Sequence, residues 1–359
     1  MFKGHGGNWQ KLLSDQNGLD SGKYLDFSSN VSPLGPPPAL WQILKTRLDG
    51  LKHLPEVEAF PLKQAISEYF SLSPEHVLVG AGTSDFIYIL PLAFSPRAIY
   101  INYPTYSDYE QAANISGIDI KSFQELTDRL ADSSGNTLTS NVLFNDMVFL
   151  CNPNNPTGEF IPPEDLLYLI NRSQDILWIV DESYAPFVGP DSQTSLLSCE
   201  MPCNLLVLRS FSKIYGVPGL RLGALLGHPS NIDRVEMFLR PWAVGTLSIE
   251  AGVELLTHDF YVETVRKFCI AQRDVLVEAL SQHPYLQPKP ADTHFFLVDV
   301  LAPWTSRMLF ERLLRHGVLI RECSNFKGLK DNVIRISPGT KEANLRLIEL
   351  LFSFCSDTP

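Results

Sequence analysis

Lys213 is the residue in this 359-residue chain best placed to do covalent chemistry. It stands in Ser210-Phe211-Ser212-Lys213, directly after the apolar run Leu205-Leu206-Val207-Leu208, and Arg221 follows among the turn formers Gly216, Pro218, Gly219 and Gly223. A lysine leaving the end of a buried strand is poorly placed as a solvated surface charge. Its amine can form a Schiff base with a carbonyl cofactor, of which pyridoxal phosphate is the common one. The hydroxyls of Ser210 and Ser212 and the Arg221 guanidinium would suit that cofactor's phosphate. Taken alone, such a stretch is as simply a surface lysine beside a turn, so the assignment depends on what else the chain carries.

Other stretches offer the remaining groups. Asp181 closes the run Ile176-Leu177-Trp178-Ile179-Val180, and a carboxylate at a buried strand end requires a cation or hydrogen-bond donors. A protonated pyridine nitrogen would serve, making the ring an electron sink for a carbanion at a substrate's α-carbon. A helix N-cap role fits Asp181-Glu182-Ser183 equally well. Asn155 lies in the rigid turn Cys151-Asn152-Pro153-Asn154-Asn155-Pro156-Thr157-Gly158, where its amide could reach a ring hydroxyl oxygen shared with Tyr184. Gly80-Ala81-Gly82-Thr83-Ser84-Asp85 opens a helix after a strand, and amides at a helix start suit a phosphate. Tyr106 could stack on a planar ring, although an aromatic after a strand is more often core.

Two arginines sit where charge is unexpected: Arg335 inside Val333-Ile334-Arg335-Ile336, and Arg321 at the end of Val318-Leu319-Ile320. They could bind a carboxylate and a phosphate, or make internal ion pairs with Glu322 or Asp299. His5, Gly6 and Asn8 open the chain, where a flexible terminus is the common outcome.

The elements that must position these groups follow an alternating plan. Short apolar runs at 76–79, 98–101, 147–150, 176–180 and 205–208 read as buried strands, and helical patterns at 84–94 and 164–172 separate them. Such alternation predicts an α/β fold, a mostly parallel sheet with helices on both faces and ligands at the strands' carboxyl ends. The proline-rich passage Ser32 to Pro38 sets off an N-terminal arm, residues 1–45, from a large domain over 46–255. A smaller α+β domain over 256–359 reads as strand 295–300, helix 306–316, strands 318–321 and 333–336, and helix 341–354. Residues 127–145 form a polar stretch expected to be an exposed excursion.

The formal net charge of −11 argues against broad nucleic-acid binding or an anionic membrane surface. No apolar run approaches the ~20 residues that span a bilayer, and the N-terminus lacks the apolar stretch of a signal peptide. The six cysteines carry no CxxC pair, which favours reduced thiols in a cytoplasmic protein over a metal site.

In order, Gly80-Ala81-Gly82-Thr83-Ser84, Asn155-Pro156-Thr157-Gly158, Asp181-Glu182-Ser183-Tyr184, Ser210-Phe211-Ser212-Lys213 and Arg221 resemble the motifs of fold-type I pyridoxal-phosphate enzymes of the class I/II aminotransferase superfamily. The resemblance implies a three-layer sandwich with a smaller second domain, pyridoxal 5'-phosphate on Lys213, and a homodimer. It implies that Asp181 pairs with the pyridine nitrogen, Asn155 and Tyr184 bind the ring oxygen, and Tyr106 stacks. Gly82, Thr83, Ser84, Ser210, Ser212 and Arg221 would then hold the cofactor phosphate. The ends of the chain discriminate further. His5-Gly6-Gly7-Asn8, Asn30 with Pro33-Leu34-Gly35, Pro241-Trp242, and Arg321 to Leu329 resemble the threonine-phosphate decarboxylases of cobalamin biosynthesis. By that likeness His5, Gly6, Asn30, Asn155, Arg321 and Arg335 line the substrate site. Arg335 would take the carboxylate, and His5, Asn30 and Arg321 the substrate phosphate. Leu54, Ser32, Gly245 and His294 depart from the superfamily pattern.

The expected reaction is decarboxylation of threonine phosphate or serine phosphate. A histidinol-phosphate aminotransferase is the alternative, and a regulatory protein retaining the fold a third. One substrate methyl is worth only about 1 kcal/mol, too little to read from sequence.

Overall fold

A computed structural model of the chain describes residues 24–132 and 144–354. Its first strand, β1 (Leu25–Asp26), is short, and a seven-stranded sheet follows: β2 (Val77–Gly80), β3 (Ala98–Ile101), β4 (Asp119–Ser122), β5 (Asp146–Cys151), β6 (Ile176–Asp181), β7 (Leu205–Ser210) and β8 (Gly223–Gly227). The order across the sheet is β2-β8-β7-β6-β5-β3-β4. Every neighbouring pair is parallel except those of β8, which runs antiparallel to β2 and β7. Strands β5, β6 and β7 are buried along their whole length, which explains why they read as unbroken apolar runs.

Side chains alternate between two cores, one on each face. Trp178, Val180 and Val207 join Leu62, Ile66 and Leu255 on one side. Leu177, Ile179 and Leu208 join Phe86, Tyr109 and Phe149 on the other. The result is a helix–sheet–helix sandwich, as expected from the α/β alternation.

Two strands of this sheet escape the pattern reading. Strand β4, Asp119-Ile120-Lys121-Ser122, is a polar edge strand. Strand β8 begins and ends in glycine and reads as a turn, yet it fills the gap between β2 and β7, with Gly223 in register with both Gly80 and Ser210. A Cβ on Gly223 would lie 2.6 Å from the Thr83 amide nitrogen, so the close approach needs glycine. The stretch expected to be an excursion is in part ordered, since Phe123–Asp132 is a helix; residues 133–143 lie outside the described residues.

Beyond the helix Asp259–Ser281 comes an antiparallel sheet, β12-β13-β10-β9, built from β9 (Leu286–Pro288), β10 (Phe296–Val300), β12 (Arg321–Glu322) and β13 (Val333–Ile336). The strand expected over 318–321 is divided. Its first part, β11 (Val318–Leu319), pairs in parallel with β1, and its second, β12, pairs with β13. Phe27, Leu276, Phe296, Ile334 and Leu347 share a third core here, which ties the N-terminal arm to this part of the fold. The helices Ser306–Arg315 and Lys341–Phe354 complete it. Among the described residues no helix is long and apolar enough to cross a membrane.

Candidate active site

Strand β7 delivers the lysine. Its last residue, Ser210, is followed by a loop that folds back onto β8, with the Val217 amide donating to the Ser212 carbonyl at 3.0 Å. The Lys213 carbonyl accepts from the Ser32 amide at 2.9 Å, so the N-terminal arm lies against the lysine loop. Gly216 has φ +65°, and a Cβ there would lie 2.7 Å from Gly35 Cα. Burial lowers the Lys213 pKa to about 8, the Arg221 and Arg335 cations assist, and Asp181 opposes. The amine therefore gives up its proton far more readily than an ordinary lysine, although it is still mostly protonated near neutral pH.

Asp181 ends β6 at 4% exposure. Its Oδ1 accepts from the Ser183 hydroxyl at 2.5 Å and amide at 3.0 Å, and its Oδ2 from the Tyr109 hydroxyl at 2.9 Å. Burial raises the carboxyl pKa, and the Ser183 and Tyr109 hydrogen bonds act against it. The helix-cap reading does not hold, because the following short helix, Ala185–Phe187, has Tyr184 at its cap. Tyr109 also stacks on Phe149 at 5.1 Å. Sequence reading missed Tyr109 and Ser183. The one signal was a second tyrosine a helical turn beyond Tyr106.

Gly82, Thr83, Ser84, Ser210 and Arg221 meet at one end of the same cavity. The helix Thr83–Phe94 starts there with Gly82 at φ +87° as its cap, and a Cβ on Gly82 would come within 2.7 Å of Arg221 Nη2. The amides of a helix start, a glycine, three hydroxyls and a guanidinium make a phosphate cradle. Ser212 is not part of it. Its buried hydroxyl faces the Leu222 carbonyl at 3.4 Å, in the loop that has already left the strand at Ser210.

Tyr106, Asn155, Tyr184 and Lys213 are shared with a second compartment, closed by Ser28, Ser29, Asn30, Arg321, Phe326 and Arg335. Tyr106 donates to Asp108 Oδ2 at 2.8 Å and stands edge-on to Tyr109. Tyr184 packs against Phe295 at 4.9 Å. Arg335, 4% exposed, donates to Asn155 Oδ1 and, at 2.6 Å, to the Ser28 carbonyl, while its Nε has no partner among the described residues. Arg321 donates to the Glu322 carbonyl and to Asn325 Oδ1 at 2.7 Å. Arg321 and Arg335 stand opposite each other in the β12–β13 register. The internal ion pairs considered for them are absent: Asp299 pairs with Lys289, and Glu322 accepts from Ser306 and Ser324. Asn30 is buried, with its side-chain amide beside the Tyr184 hydroxyl. His294, also buried, stacks on Phe187 at 3.6 Å, and burial with the Arg335 cation holds it neutral. His5, Gly6 and Asn8 lie outside the described residues.

A lysine amine, a buried carboxylate with hydrogen-bond capacity to spare, and a phosphate cradle around one cavity fit pyridoxal 5'-phosphate. Comparison with known proteins agrees. The model of the family described as aminotransferase class I and II matches residues 15–351. The chain is 30% identical to the histidinol-phosphate aminotransferase of Methanothermobacter thermautotrophicus, over 95% of this chain and 91% of that one. It is also 30% identical to the threonine-phosphate decarboxylase of Salmonella typhimurium, over 97% and 95% of the two chains. The crystal structure of L-threonine-O-3-phosphate decarboxylase from Porphyromonas gingivalis superposes with a TM-score of 0.81 at 29% identity, covering 93% of this chain and all of that one. The cofactor is pyridoxal 5'-phosphate, and with matched motifs, fold and cavity the chain belongs to the aminotransferase class I and II family.

Proposed function

We propose that this protein decarboxylates an O-phospho-L-amino acid, L-threonine O-3-phosphate or L-serine O-phosphate, to a phosphorylated amino alcohol used in cobalamin or cobamide synthesis. The observation that carries the reading is the Arg321–Arg335 pair. Like charges directly opposite across a sheet repel, and neither guanidinium meets a carboxylate among the described residues. A substrate with a carboxylate and a phosphate would supply the missing anions. The cavity as a whole has the same bias, with Lys213, Arg221, Arg321 and Arg335 set against Asp181 in an acidic chain.

When bound, pyridoxal phosphate supplies an electrophilic carbonyl and an electron-withdrawing ring that stabilises negative charge at the substrate's α-carbon. Gly82, Thr83, Ser84, Ser210 and Arg221 would hold its phosphate, Asp181 its ring nitrogen, and Asn155 and Tyr184 its ring oxygen. Hydrogen bonds from Tyr109 and Ser183 aim the Asp181 carboxylate and favour its ionised form against the effect of burial. Arg335 holds the substrate carboxylate, and Arg321 with Asn30 and the terminal His5 and Gly6 holds the phosphate. These two anchors orient the α-carbon and so select which of its bonds is cleaved. After CO₂ leaves, the Lys213 Nζ returns a proton to the α-carbon.

Transamination of histidinol phosphate is the second reading, favoured by relatives at equal identity. Arg335 would then serve the carboxylate of an amino-acid partner. Purified protein given threonine phosphate or serine phosphate is expected to release CO₂ with no oxo acid present. Formation of glutamate from histidinol phosphate and 2-oxoglutarate, without CO₂ release from either phospho-amino acid, overturns the proposal. We place the enzyme in the cytoplasm as a homodimer, a reading supported by the exposed Trp41, Leu54, Phe60, Met237 and Trp242.

A further inference from the structure

The loop Cys323–Leu329 has two faces. Inward, Asn325 accepts from Arg321 Nη2 at 2.7 Å, and the Phe326 ring lies 4.9 Å from the Arg321 guanidinium, so the loop sets where that guanidinium points. Outward, the next two residues grip the large sheet's side of the molecule. Lys327 Nζ donates to Glu110 Oε1 at 3.0 Å and sits 4.3 Å from the centre of the Tyr103 ring. Gly328, at φ +89°, lies so close to Tyr103 and Pro104 that a Cβ would stand 3.2 Å from both the Pro104 nitrogen and Tyr103 Cβ. The Tyr103–Thr105 segment is itself tied to the turn that carries Asn155. Asn154 Nδ2 donates to the Pro104 carbonyl at 2.8 Å, and the Thr105 hydroxyl donates to Asn154 Oδ1 at 2.7 Å. A continuous chain of contacts therefore joins Arg321 on one wall of the substrate compartment to Tyr106 and Asn155 on the other.

We infer that Lys327, Glu110 and Gly328 are positioning residues that set the reach of Arg321 toward the distal anionic group of the substrate. The inference rests on the reading of Arg321 as that group's anchor. An exposed ion pair is weak by itself, and Lys327 is exposed. Its placement over the Tyr103 ring adds a cation–π contact, and Gly328 adds packing that other residues cannot supply.

The experiment uses the holoenzyme with threonine phosphate, or with histidinol phosphate if that is the substrate turned over. Lys327→Met and Glu110→Gln are expected to raise KM about three- to ten-fold, with kcat changed less than about two-fold. Binding of L-threonine, followed by the cofactor's absorbance, should not change, because it lacks the phosphate. Lys327→Glu combined with Glu110→Lys should restore part of the loss, and Lys327→Met should add nothing to Arg321→Gln. Gly328→Val is expected to exceed either single charge variant. If Arg321→Gln raises KM while Lys327→Met and Glu110→Gln leave it unchanged, the inference is wrong and the anchor stands. It is also wrong if L-threonine binding weakens in step, which would mark a general structural role. If Arg321→Gln itself leaves KM unchanged, the anchor reading fails first.

Discussion

Lys213 must lose its proton before its amine can attack a carbonyl, so burial beside two guanidinium groups matters to the chemistry. In the cofactor-free protein its rate of reaction with pyridoxal phosphate should rise with pH through about 8 rather than near 10.5, the ordinary value for a lysine. Below that midpoint the amine is a protonated, unreactive ammonium. Arg335→Met removes one of the cations that lower the pKa, so the midpoint should move upward. A pH–rate profile centred near 10.5, or one unmoved by the variant, contradicts this account of the lysine. Asp181 shows the limit of reading single residues. Its place at a strand end was legible from the apolar run before it, but both donors on it were not. Ser183 reaches it through a local turn, whereas Tyr109 comes from the helix Ser107–Ile115, 72 residues earlier in the chain. Ser212 is the opposite case, a residue of the right type in the right motif that faces away.

At the scale of elements, the site is an assembly of strand ends. Strands β5, β6 and β7 were legible because interior parallel strands are apolar on both faces. Strand β8 was not, because its terminal glycines answer to close approaches, Gly223 to the Gly82 turn and Gly227 to Leu205 and Leu206 of β7, rather than to strand propensity. The division of 318–322 between two sheets was hidden because the partner of its first half, β1, lies far off in sequence, while its second half pairs with the nearby β13. The contact between the lysine loop and the N-terminal arm depends on Gly216. Gly216→Ala forces a left-handed non-glycine residue and a clash with Gly35, and should cost about 2 kcal/mol or more of stability. Thermal unfolding should show the loss together with a lower kcat, since Ser32 and Asn30 follow the displaced arm. Unchanged stability and kcat would mean that the arm does not depend on this contact.

At the scale of the molecule, the exposed apolar side chains Trp41, Leu54, Val57, Phe60 and Trp242 come from two segments joined by the Trp242 amide and the Val57 carbonyl. A surface of that kind implies a partner. Sedimentation should give twice the chain mass, and Leu54→Asp, at a position 75% exposed in the single chain, should shift the protein toward the monomer. A monomer for the native protein, or a dimer indifferent to Leu54→Asp, removes this surface from the interface.

The sequence by itself determined the chemical groups. Lysine, aspartate, asparagine and the glycine-rich turn are each held within a few residues of a strand end, where local backbone geometry already dictates what emerges into the cavity. Only the tertiary structure decided which groups meet. Arg321 faces Arg335 through strand register, Tyr109 reaches Asp181 from 72 residues away in the chain, Asn155 is engaged by Arg335, and Lys327 meets Glu110. A shift of one residue turns a strand's side chains to the opposite face. Such contacts are therefore properties of pairing between distant segments and are written in no single stretch of the chain.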